Sequence, residues 1–199
     1  MSGEAAVAIL AGGRATRFDG IDKSLLEVDG EPVIARQLRA VADVASEVIV
    51  VANSSAPYRR YPVRVVADRV PGAGPLAGLD AALAAARAPR VLALACDMPD
   101  VSPEVLALLL DRAGAADVVV PVADGRLQPL CAVYGAAVAP VVAEELLAGR
   151  RRAAELPRAA ERVGLRVARV AEAEVVAVDP ALRTFANLNS PGDQARRGP

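Results

Sequence analysis

The chain has no histidine and no tryptophan, and its 199 residues include only 2 cysteines, 2 phenylalanines and 3 tyrosines. Without histidine there is no Ser-His or Cys-His dyad and no imidazole ligand for a metal. The two cysteines, Cys96 and Cys131, form no C-x-x-C and read as buried thiols of a reducing compartment. Aromatics at 3% leave few stacking platforms for bases, and a net charge of −1 gives no general polyanion surface. Nucleic acid is therefore not an expected partner. No apolar run approaches the ~18 residues of a membrane span. Met1 and the residues up to Ala5 include an acid and lead into a strand-like run, so no signal peptide is expected and a cytoplasmic location is. What remains for chemistry is carboxylates, cations, backbone amides and a hard metal ion.

Lysine is scarce too. Lys23 stands alone against 22 arginines, and it closes a glycine-rich basic segment, LAGGRATRFDGIDK, at residues 10–23. Lysine presents a compact ammonium on a flexible stem, which suits a crowded phosphate better than the broad guanidinium fork.

Alternating apolar runs and amphipathic stretches organise the rest. Strands are expected over residues 6–10, 47–52, 64–67, 91–95, 117–122, 165–170 and 175–178. A short apolar stretch at 25–28 is closed by an Asp29-Gly30 turn. Helices are expected from Pro32 to about Ala42, over 76–87, from Pro103 to about Ala113, over 138–147 and 153–163, with a last short one from Ser190-Pro191. The extended run 127–134, after the Asp124-Gly125 turn, adds an antiparallel strand. No repeat or linker divides the chain. The expectation is one α/β domain, residues 1–199, built as a three-layer α/β/α sandwich on a mostly parallel, Rossmann-like sheet.

Ligands of such sheets sit beyond the carboxyl ends of the strands. Gly12-Gly13, Asn53, Asp68 and Asp97 each follow an apolar run at that edge. Two glycines after a strand let backbone amides face an anion, and Arg14, Arg17 and Lys23 add three cations within ten residues. The spacing matches neither G-x-G-x-x-G nor G-x-x-x-x-G-K-[ST]. A surface turn with solvated charges is the alternative for this loop. For Asp97 the alternative to a Mg²⁺ ligand is a turn or helix-capping role, and Asp100 is a weaker ligand candidate beside the Ser102-Pro103 helix start. Arg150-Arg151-Arg152 reads as a solvated helix face rather than a phosphate site. Cys96, Tyr134 and Phe185 read as packing.

The first loop resembles the signature of nucleotidyltransferases that join a nucleoside monophosphate to a phosphorylated acceptor, and among them the molybdenum cofactor guanylyltransferases. The resemblance also covers Val51-Ala52-Asn53, Asp68, GPLAGL from Gly74, CDMP from Cys96, QPLCAVY from Gln128 and NLNSP from Asn187, in order along nearly the whole chain. It implies a fold like that of the nucleotide-diphospho-sugar transferases and transfer of GMP from GTP to molybdopterin or its molybdate-loaded form, with Mg²⁺ and release of pyrophosphate. Leu10, Ala11, Gly12 and Gly13 would line the nucleotide, with Lys23 and Arg17 at its phosphates. Asn53 and Asp68 would hold the guanosine end, and Asp97 the metal and phosphates. Gly74, Gly78, Asn187 and Asn189 would lie toward molybdopterin, so that the N-terminal part binds nucleotide and the C-terminal part the acceptor. Phe18-Asp19 departs from the family pattern by placing an acid among the phosphate-binding cations.

No protein nucleophile is needed: an acceptor phosphate oxygen attacks the α-phosphorus in line, and the protein aligns two polyanions. The rivals are a relative using CTP or another phosphorylated acceptor, and a noncatalytic GTP-binding or cofactor-carrier protein. The resemblance leaves open protein partners that deliver molybdopterin or mature molybdoenzymes.

Overall fold

The computed structural model describes residues 5–11, 22–70 and 72–188. The expectations for Gly12, Gly13, Arg14, Arg17, Phe18-Asp19 and Asn189, and for the helix from Ser190, lie outside the described residues. In chain order the elements are β1 (Ala5–Leu10), β2 (Glu27–Val28), β3 (Glu31–Pro32), α1 (Val33–Val41), β4 (Glu47–Val51), β5 (Arg64–Val66), α2 (Pro75–Ala85) and β6 (Arg90–Ala95). They continue with α3 (Pro103–Arg112), β7 (Val118–Ala123), β8 (Arg126–Leu127), β9 (Cys131–Gly135), α4 (Ala139–Leu147), α5 (Leu156–Arg162), β10 (Val167–Val170) and α6 (Glu172–Val176).

The main sheet runs β10-β7-β9-β6-β1-β4-β5, with β8 paired to β7, and β2 and β3 form a separate hairpin. Asp29 and Gly30 both take positive φ, 54° and 77°, the conformation a two-residue hairpin turn requires of an Asp-Gly pair. β1 is buried along its whole length because both sheet faces are covered. Side chains alternate between the layers. Val7, Ile9 and Ala11 pack on the side of Ile34, Val105 and Leu106, from α1 and α3. Ala6, Ala8 and Leu10 pack against Leu76, Leu79, Val142 and Leu156, from α2, α4 and α5. This is the three-layer sandwich expected. Ser102 opens α3 as its N-cap, accepting from the Val105 N–H at 3.3 Å.

β9 is the expected antiparallel strand, inserted between β6 and β7 and opposed to both. Its direction matters for the site. Parallel strands bring their ends to the carboxyl edge, whereas β9 brings its beginning, and the Ala95 N–H donates to the Leu130 carbonyl there at 2.8 Å.

One element differs from expectation. The run around Val175 to Val178 is no strand: α6 starts earlier and takes in Val175 and Val176. Glu174 accepts from the Ala171 N–H at 3.1 Å and pairs with Arg112 at 2.5 Å, which anchors the first turn. Only Val175 of that run reaches the core, and Val176 and Val178 stay exposed.

Candidate active site at the carboxyl edge of the sheet

The strand order sets the order of the site. From β9 to β5 the edge presents Gln128–Leu130, then Asp97 after β6, Ala11 after β1, Asn53 after β4 and Asp68 after β5. The Ala11 N–H donates to the Val51 carbonyl and the Ala52 N–H to the Val66 carbonyl, so the strand ends stay in register where the polar residues emerge.

Lys23 and Asp97 occupy the centre. The Lys23 ammonium lies 2.9 Å from Asp97 Oδ2 and 3.2 Å from the Leu188 carbonyl. The pair is partly buried, with side chains 26% and 17% exposed, so it is screened less than a surface ion pair. Leu188 is tied in from the other side, its N–H donating to the Asp97 carbonyl at 2.8 Å. Two buried devices support the pair. Asp22 caps the single 3₁₀ turn Lys23–Leu25 and also accepts from Tyr58. Gln37 of α1, fully buried, donates from Nε2 to the carbonyls of Ala95 at 2.7 Å and Met98 at 3.0 Å, bracketing Cys96-Asp97. Asp100, the weaker ligand candidate, is engaged by Arg36 at 2.7 Å.

Among the described residues no three acidic or cysteine side chains converge as a metal cage. Asp22 is taken up by Ser24 and Tyr58, and among the described residues Asp97 is the carboxylate that lines the cleft. One carboxylate fits Mg²⁺, which keeps most of its octahedral positions for phosphate and water. Burial, then the charges of Asp97 and Asp22, pushes the Cys96 thiol up, and burial pushes Cys131 up to about 12.

Asp68, Leu10 and Gly78 meet on the β5 side. A Cβ added to Gly78 would stand 3.3 Å from Leu10 Cδ2 and 3.7 Å from Asp68 Oδ1, so any larger residue there would press on the Leu10 side chain. Asp68 Oδ1 is buried with no hydrogen-bond partner, and burial raises the carboxyl's pKa. Arg69, next in sequence, pairs instead with Asp80 at 3.4 Å. Asn53 is exposed at the adjoining strand end. Gly74 has φ 76° and precedes Pro75 at the first turn of α2, a conformation an L side chain resists.

On the β9 side a cleft of about 380 Å³ opens, the size of a small-ligand site. Asp97, Pro75, Gln128, Arg151, Arg152 and Asn187 are among its walls. Arg151 donates to the Gly72 carbonyl at 3.3 Å. The arginine run is thus not a helix face: it follows α4, Arg150 turns back onto the buried carboxylate of Glu145 at 2.7 Å, and its two neighbours face the cleft. Gly149, at φ 72°, makes the reversal that redirects them.

The structure therefore brings Lys23, Asp97 and Asn187 together, gathers Leu10, Asp68 and Gly78 beside them, and leaves Ala11, Asn53 and Gly74 along the same edge. Gln37, Tyr58 and Asp22 were missed from sequence because nothing in their spacing marks them. Arg151 and Arg152 carried a signal, three arginines behind a glycine, but such a run reads first as a solvated face.

Residues 7–173 match the family model of the MobA-like NTP transferase domain. The chain belongs to that family. Among its relatives, a probable molybdenum cofactor guanylyltransferase of Pelotomaculum thermopropionicum is 36% identical over 93% of this chain and 87% of its own length. The molybdenum cofactor guanylyltransferase of Pseudomonas putida is 36% identical over 93% of each. The crystal structure of molybdopterin-guanine dinucleotide biosynthesis protein A from Archaeoglobus fulgidus superposes with a TM-score of 0.79 at 28% identity, covering 96% of both chains. The α/β nucleotidyltransferase fold and the transferase class of the family follow from these matches.

Proposed function

We propose that the protein transfers GMP from GTP to molybdopterin or its molybdate-loaded form, releasing pyrophosphate. The Lys23–Asp97 pair at the centre of the edge carries this reading, because it stands between two differently built halves. Toward β5, the unpartnered Asp68 oxygen asks for a hydrogen-bond donor, which the guanosine end supplies. Toward β9, Arg151, Arg152 and Asn187 line a cleft suited to a phosphorylated acceptor. The nucleotide half thus comes from the N-terminal part of the chain and the acceptor half largely from the C-terminal part.

An acceptor phosphate oxygen forms the new bond to the α-phosphorus of GTP while the bond to the β-phosphate oxygen breaks and pyrophosphate leaves. Lys23 offsets the charge of the triphosphate, Arg151 and Arg152 hold the incoming phosphate, and the strand ends align the two anions. Asp97 would hold Mg²⁺, which when bound supplies charge neutralisation of the phosphates. Protein partners that bring molybdopterin or receive its dinucleotide would dock at the acceptor side.

Incubation with GTP or CTP, Mg²⁺ and molybdopterin, with pyrophosphate measured, tests the assignment. Turnover with GTP is expected; turnover with CTP alone rejects the base choice, and GTP binding without pyrophosphate supports a carrier. Lys23→Ala and Asp97→Ala each lower turnover about 10²–10³-fold, the scale of one charge-stabilising group.

A further inference from the structure

Tyr58 sits on the 3₁₀ turn Ala56–Tyr58 that follows Asn53, and it is 1% exposed. Its hydroxyl donates to Asp22 Oδ2 and lies 2.8 Å from Ser24 Oγ. Asp22 Oδ1 accepts from the Ser24 N–H at 3.0 Å and the Ser24 hydroxyl at 2.8 Å. The residues on both sides of Lys23 are therefore fixed in one part-buried polar network, while Lys23 itself projects to Asp97. A buried tyrosine hydroxyl needs a hydrogen-bond partner, and here that partner is the carboxylate that immediately precedes Lys23. Charge-assisted networks of this kind hold their members in one geometry.

We propose that Tyr58 and Asp22 are positioning residues for Lys23, and that this network ties the base-side loop bearing Asn53 to the phosphate-side lysine. The inference rests on the guanylyltransferase reading above. Lysine has a long, flexible side chain, so the reach of its ammonium depends on how firmly its backbone is held. The hydroxyl of Tyr58 supplies that hold from the neighbouring strand end, without touching substrate.

A double-mutant cycle tests it. Tyr58→Phe should lower GTP affinity and kcat/KM by about tenfold, within the range of coupling inside one hydrogen-bond network, beside the fall in Tm expected for a lost charge-assisted hydrogen bond. In a Lys23→Ala background the same substitution should cost almost nothing, because the group it positions is gone. A similar loss in both backgrounds, or no loss in either, overturns the proposal. Asp22→Asn runs through the same cycle and serves if Tyr58→Phe fails to fold; additivity there counts equally against it. Wild-type protein that binds GTP yet forms no product would overturn the transferase reading instead, while the cycle on GTP affinity would still decide the positioning role.

Discussion

Asp68 shows how one side chain can serve a site at the expense of the fold. Its buried oxygen has no hydrogen-bond partner among the described residues, and burial raises its pKa above the ordinary value of 3.8. A raised carboxyl pKa favours the fold in the protonated form. That contribution is complete below about pH 3.8 and is lost as pH rises through the folded-state value. Above that value the ionised carboxylate is a net cost. Asp68→Asn should raise the Tm of the nucleotide-free protein by about 1–3 °C at pH 7–8. The gain should shrink in acid, where the protonated acid resembles the amide. The same variant should bind GTP more weakly, and thermal melts across pH with parallel nucleotide titrations check both effects. Asp68 was legible in sequence as a polar residue after an apolar run. That its oxygen is buried and unpaired was not, because burial of a single atom depends on how the strand end packs in three dimensions.

Helix α1 does more than cover the sheet. Through Gln37 it holds the turn at the end of β6, and through Arg36 it reaches Asp100 and the Pro99 carbonyl just beyond. Asp97 is therefore presented by a turn secured from a different element. Gln37→Leu removes the donor from two carbonyls but also removes the buried, unpartnered Oε1 of Gln37. The loss outweighs the relief. A net destabilisation of about 1–2 kcal/mol is expected, seen as a fall in Tm of about 2–8 °C in calorimetry. Helix α6 teaches the converse at the same scale. Its valines suggested a strand, but a local cap by Glu174 and the ion pair with Arg112 favour the helix.

For the molecule as a whole, the sheet is the device that unites the two substrate halves. β9 runs against its neighbours, so the chain enters it at the edge where the parallel strands leave. The segment Gln128–Leu130 and the arginines behind Gly149 consequently face the same space as Asp97. A ligand bound across this edge stabilises every strand that contributes to it. At a hundredfold excess over its Kd, GTP with Mg²⁺ should add about 2.7 kcal/mol to the folded state. In a domain of this size that is a rise in Tm of about 5–11 °C. Thermal melts with GTP and CTP at equal concentration check it, and an equal rise with both would count against guanine recognition.

By itself the sequence determined the alternation of strands and helices, the burial of the sheet on both faces and the polar residues that end β4, β5 and β6. Each of these is written in local periodicity and composition, within a few residues of where it acts. Lys23 stood out in the same way, as a lone ammonium closing a glycine-rich loop. Only the tertiary structure decided that Lys23 meets Asp97, 74 positions away, and that Tyr58 and Asp22 brace it. It also placed the exposed Arg151 and Arg152 on the wall of the cleft rather than on a helix face. Such pairings depend on strand order and on which segments the close-packed core forces together. No spacing along one chain encodes that order.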